Sequence, residues 1–139
     1  MKPIGIILFL ACVVGLAITS QECVWATGKI VCKHNQTRVI GSVVELWDED
    51  AVGPLQFIDP DDKIAFEQIS DEDGVFKIAG CASDTDWIPG LKNKPDMYLR
   101  VLHNCNSDIG RDMIIIKPPF KVFVPKTYDY HISHPIYLD

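Results

Sequence analysis

Along residues 43–48 the chain alternates: Val43, Glu45 and Trp47 fall on one side, Val44 and Leu46 on the other. A period of two in β-branched and aromatic residues is what a half-buried strand requires, so this stretch is expected to be a central strand. Similar runs at Val24–Val31, Ile64–Ile69, Val75–Ala79, Met97–His103, Met113–Ile116, Phe120–Val124 and Ile136–Leu138 are read as further strands. Asp73-Gly74, between the third and fourth of these runs, supplies the positive φ of a tight turn and predicts a hairpin. Pro118-Pro119 and Pro125 interrupt the pattern near the end. No segment keeps a helical period, so the chain is expected to be an all-β antiparallel sandwich of about seven to eight strands.

The first residues break this rhythm. Met1-Lys2 is followed by an apolar run from Ile4 to Ala17 and then by Thr19-Ser20, the layout of a secretory signal peptide. The run is short of the roughly 20 residues of a membrane span, and no later segment approaches that length. The expected division is a leader over residues 1–20 and one domain over 21–139, with cleavage after Ala17 as the alternative to Ser20. A domain of this size buries about two-thirds of its unfolded surface in a single core. The formal charge of −6, without a Lys/Arg cluster, excludes capture of nucleic acid or an anionic membrane by electrostatics.

Outside the leader, which holds Cys12, the chain keeps Cys23, Cys32, Cys81 and Cys105. An even number in an exported chain is most simply two disulfides, and no two of these cysteines have the close spacing of a zinc knuckle. If successive strands run alternately up and down, Cys23 and Cys81 come to one end and Cys32 and Cys105 to the other. The favoured pairing is therefore Cys23 with Cys81 and Cys32 with Cys105.

Few residues carry recognisable chemistry. Asn35-Gln36-Thr37 is a glycosylation acceptor in a polar connection, with an unused match as the other reading. Acidic residues gather at Asp48, Glu49 and Asp50, at Asp59, Asp61 and Asp62, and at Asp71, Glu72 and Asp73. Converging carboxylates hold Ca²⁺ in extracellular β-domains, but strand alternation puts Asp48 and Asp71 at opposite ends, and Asp in turns is explained by local hydrogen bonding. His131 and His134 stand beside Pro135, which denies them a helix, so no metal site, cofactor or catalytic residue is assigned. Trp47 is read as core. Trp87, with Ile88 and Leu91 in a long Pro-Gly-containing loop, is the candidate exposed contact, the alternative being a Trp folded back over the sandwich edge.

Gly28-Lys29-Ile30-Val31-Cys32, Val44 to Asp50, Ser70 to Phe76, Pro95 to Val101, His103 to Asn106 and Phe123 to Asp129, in this order, resemble the transthyretin-like family of secreted nematode proteins. The resemblance implies a transthyretin-type sandwich, export, and an extracellular binding or signalling role. Many members carry a second Cys shortly after the position of Cys105; here Ser107 to Arg111 supply none, and Cys23 with Cys81 takes the place of that bridge. The related hydroxyisourate hydrolases end in Tyr-Arg-Gly-Ser, whereas this chain ends Pro135-Ile136-Tyr137-Leu138-Asp139. The expectation is a secreted non-enzymatic binding protein acting through loops on an extracellular protein or cell-surface component. A carrier of a small apolar ligand stands second and a hydrolase third.

Overall fold

The computed structural model describes residues 19–50, 60–85, 94–106, 111–117, 122–123 and 127–139. Residues 1–18, the body of the expected leader, lie outside them. Nine strands follow in order: β1 (Thr19–Val31), β2 (Val43–Asp48), β3 (Asp62–Gln68), β4 (Val75–Thr85), β5 (Met97–His103), β6 (Asp112–Ile116), β7 (Val122–Phe123), β8 (Thr127–His131) and β9 (Ile136–Tyr137). A short 3-10 turn, Gln36–Val39, precedes β2. One sheet has the order β4-β1-β8-β7, with β9 beside the end of β1, and the other the order β3-β2-β5-β6. All pairings are antiparallel except those of β1 with β8 and with β9.

Period-two burial runs through both layers and faces them together. Val24, Ala26 and Ile30 of β1, Val44 and Leu46 of β2, Phe76 and Ile78 of β4, and Leu99 and Val101 of β5 are buried. Each such side chain contributes about 1.5–3 kcal/mol relative to exposure, so these residues carry most of the attraction between the sheets. Gly28 makes room for it: a Cβ there would stand 2.7 Å from Cζ of Phe76, its partner across the β1–β4 ladder.

The Asp73-Gly74 turn forms, with Gly74 at φ 65°, but the expected hairpin does not. β3 pairs with β2 and β4 with β1, so the turn carries the chain from one sheet to the other. The turn signal concerns only local φ and says nothing about which strand becomes the partner. Gly74 is also required by proximity, because its carbonyl accepts from the Ile30 N–H at 2.9 Å and an added Cβ would collide with the Ile30 carbonyl.

Both expected disulfides are present, Cys23 with Cys81 and Cys32 with Cys105. They do different work. Cys23 and Cys81 are register partners within one sheet, while Cys32 and Cys105 follow β1 and β5 and so join the two layers. At that same end the Asp139 carboxylate accepts from the N–H of Lys33 at 2.6 Å and of His34 at 3.0 Å, and from the His34 ring at 2.8 Å. Those bonds, the backbone N–H of His34 foremost, hold the Asp139 carboxyl down at about 2.

His103 points into the core beside this bridge, 1% exposed, with Nδ1 accepting from the Cys105 N–H at 3.3 Å. Burial lowers its pKa from 6.5, against the opposing pull of Asp112 and Asp139. The unfolded chain therefore binds more protons below about pH 6.5, and stability is expected to fall as the pH drops through that value. Asp48, whose carboxyl is raised to about 7, works in the opposite sense over the same range, so the effect is read as a difference: in urea titrations at pH 8 and pH 5 wild type should lose more stability on acidification, or gain less, than His103→Gln. Replacing either cysteine pair by serine should cost about 4 kcal/mol on the loop-entropy model. The buried Cys32–Cys105 pair should cost more than Cys23–Cys81, whose Cys81 is exposed, in equilibrium denaturation of the oxidised protein.

Candidate functional site

Strand directions gather several connections at the end of the sandwich opposite the Cys32–Cys105 bridge. β2 ends there at Asp48, β3 begins there with Asp62 opposite Asp48, β4 ends there at Thr85, and β5 begins there with Met97 opposite Asp48. The two long segments, 51–59 and 86–93, leave from and return to this end, although they lie outside the described residues themselves. Trp87, Ile88 and Leu91 fall in the second of them and so also lie outside.

The inward face changes character here. On β4 the inward positions Phe76 and Ile78 are continued by Gly80, Ala82 and Asp84; on β2 Val44 and Leu46 are continued by Asp48; on β1 Val24 and Ala26 are preceded by Glu22. Glu22, Asp48 and Asp84 are 4%, 3% and 8% exposed, so alternation has carried carboxylates into the layer between the sheets. Glu22 is met by the Lys94 ammonium at 3.7 Å.

Asp48, Asp50 and Asp84 each offer a carboxylate oxygen to a group whose members all lie within 4.8 Å of one another. Burial pushes the Asp48 carboxyl up to about 7, and the negative charges of Asp84 and then Asp50 push in the same direction. The N–H of Asp96 works against them by donating to Asp48. Oδ1 of Asp48 is buried with no hydrogen-bond partner. This set contains no imidazole and no thiolate, only hard oxygen donors, contributed by both sheets.

The acidic groups of the sequence thus separate as alternation required. Asp61 accepts from the Tyr98 hydroxyl at 2.7 Å; burial first, and then this bond, raise that phenol to about 12. Asp71 and Glu72, at the other end, serve the turn: Asp71 accepts from the Asp73 N–H at 3.0 Å, and Glu72 accepts from the Thr37 hydroxyl at 2.9 Å. Asp84 was not among the residues singled out, because the strand pattern was ended at Ala79 while β4 runs on to Thr85. Extending the parity of Phe76 and Ile78 would have found it.

Trp47 is not core. It shares the outer face of β2 with Glu45, its ring nitrogen donating to Glu45 at 2.9 Å and its ring lying 4.3 Å from the Arg100 guanidinium and 6.0 Å from the Lys63 ammonium. Glu45, 6% exposed, takes Lys63 at 3.3 Å and Arg100 at 3.6 Å. The inward side of β2 is the Val44, Leu46, Asp48 side, so the largest aromatic of the strand covers a salt-bridge cluster and not the second sheet. On this face Phe66, Met113 and Ile115 are exposed. Asn35 is exposed and caps the 3-10 turn, its Oδ1 accepting from the Thr37 N–H at 3.1 Å. His131 ends β8, and His134 is exposed beyond it.

The sequence model of the transthyretin-like family (TTR-52) matches residues 27–119. A comparison with curated proteins returned no match. Among solved structures the chain is similar to a 9R-lipoxygenase from Cyanothece PCC8801, at 22% identity and a TM-score of 0.46, over 99% of this chain and 21% of that one. The chain therefore spans about a fifth of that enzyme's length.

Removing the Glu45 carboxylate leaves two cations facing one another over Trp47. Glu45→Ala is expected to destabilise the protein by about 2–3 kcal/mol, less than a fully buried pair because Lys63 and Arg100 keep contact with water. Glu45→Gln, which retains the bond to Trp47, should lose less; both values can be read from urea midpoints.

Proposed function

The chain belongs to the transthyretin-like family, and from that premise we propose that it is an exported, non-enzymatic binding protein that engages an extracellular protein or cell-surface component through its loops. The observation that carries this reading is that the strand ends flanking residues 51–59 and 86–93 meet at one end of a sandwich whose opposite end is closed by a disulfide. A rigid scaffold that presents long loops together at one end is the usual architecture of β-sandwich recognition. Trp87, Ile88 and Leu91 supply the large apolar side chains that anchor such contacts.

Export is supported by the leader pattern and by the pairing of Cys23, Cys32, Cys81 and Cys105 in two bridges, which persist only in an oxidising compartment. Among the described residues no helix is long and apolar enough to cross a membrane. Asn35 is exposed, and the capping bond uses its oxygen, leaving the amide nitrogen for the sugar.

Expression through a secretory pathway should deliver oxidised protein to the medium, with the leader removed and with mass lost on enzymatic removal of N-glycans. That protein should bind cell surfaces or extracellular matrix saturably. Trp87→Ala combined with Leu91→Ala should weaken binding by tenfold or more at unchanged melting temperature. Equal binding by the double variant would remove the loops from the reading, and hydrolysis of hydroxyisourate above the buffer rate would remove its non-enzymatic part.

A further inference from the structure

We propose that Asp48, Asp50 and Asp84 form a divalent-cation site of the Ca²⁺ class that ties the two sheets together at the loop end of the sandwich. Asp48 and Asp50 come from the end of β2 and Asp84 from the end of β4, strands that belong to different layers. One ion bound by all three would do there what the Cys32–Cys105 bridge does at the other end.

Two separate observations lead to it. The first is dimensional. Oxygens on opposite sides of one Ca²⁺ stand about 5 Å apart, since each bond is about 2.4 Å long, and the carboxylate oxygens of this set all lie within 4.8 Å of one another. A point equidistant from all three then lies no more than about 2.8 Å from each, so small side-chain adjustments bring one ion into reach of the set. Mg²⁺, with bonds near 2.0 Å, needs a tighter shell, and Zn²⁺ would want nitrogen or sulfur, which the group lacks.

The second is the state of Asp48. The residue is 3% exposed, and although its carboxyl group is hydrogen-bonded to the Asp96 N–H and to Asp84, its Oδ1 has no hydrogen-bond partner. A buried acceptor left without a donor costs about 1–3 kcal/mol, more for a charged group, and is rare in folded proteins. Lys94 pairs with Glu22 and Lys117 with Glu49. A metal ion is a partner that would accept both oxygens of Asp48 and cancel the repulsion from Asp50 and Asp84.

The competing account is a proton shared between Asp48 and Asp84, and calcium separates the two. The mature protein should melt about 5 °C or more higher in 5 mM CaCl₂ than in EDTA, as expected for an ion at a multiple of its dissociation constant. The gain should be smaller in MgCl₂. Asp48→Asn should melt at or above wild type in EDTA, because a repulsion has gone, and should show no calcium response. Asp84→Asn should also lose the response. Asp71→Asn, in the acidic turn at the other end, should keep it. Calorimetric titration with CaCl₂ should give one site per chain in wild type and none in Asp48→Asn. A wild-type melting temperature indifferent to calcium, or a gain that survives Asp48→Asn, overturns the proposal. The readout needs no partner, so its failure leaves the loop-binding reading standing, and the reverse holds too.

Discussion

Among the described residues the backbone-to-backbone hydrogen bonds run within each sheet, so what holds this sandwich closed is side chain or connection, as where Glu67 of β3 accepts from the Lys77 N–H of β4 at 2.8 Å. That constraint explains the distribution of residue types better than strand propensity does. Apolar residues fill the middle of the gap, where Leu46, Leu99, Ile78 and Ala26 are buried. Dispersion and the hydrophobic effect suffice there because every inward position meets another. At the two ends the layers run out of partners, and the chain resorts to stronger and more directional devices.

The ends use different chemistry. One is closed covalently by Cys32–Cys105, backed by the Asp139 carboxylate on the Lys33 and His34 amides and by the neutral His103 ring. A covalent closure is indifferent to salt and needs no counter-ion. The other end puts Glu22, Asp48 and Asp84 on the same inward-facing rows that hold Val24, Leu46 and Ile78 farther in. Glu22 is neutralised by Lys94, and Asp48 gains one backbone N–H from Asp96 against two neighbouring carboxylates. The burden of like charge therefore falls on the junction between β2 and β4.

Much of this was legible because alternation is a local property. β5 matches its expected bounds, Met97–His103, and β2 begins at the expected Val43. Strand alternation also placed all four cysteines, since direction along the sandwich needs only whether the number of reversals is odd or even. What failed was partner choice, which is not local. Asp73-Gly74 gave its turn but not its pairing, and β8 was missed because its five residues gain order from a parallel contact with β1 that lies a hundred positions back in the chain. Trp47 departs from expectation for a different reason: bulk favours burial, but its parity with Glu45 puts it on the outer face. Parity, followed strictly along β4, would also have added Asp84 to Asp48.

The asymmetry of the two ends bears on where such a protein can vary. Changing a loop rooted in an apolar core disturbs packing, because a lost methylene leaves a cavity and an added one leaves strain. Here the large apolar residues of β2 and β4 stop at Leu46 and Ile78, and the inward rows of those two strands end in Asp48 and Asp84, with Met97 of β5 still buried opposite Asp48. Contacts made by charges to ions, water or backbone tolerate shifts that a packed interior does not. A sandwich stapled at one end and lined by short carboxylates at the other can therefore change the segments leaving Asp50 and Thr85 without repacking Phe76 or Leu99, which is the property a loop-borne binding surface requires.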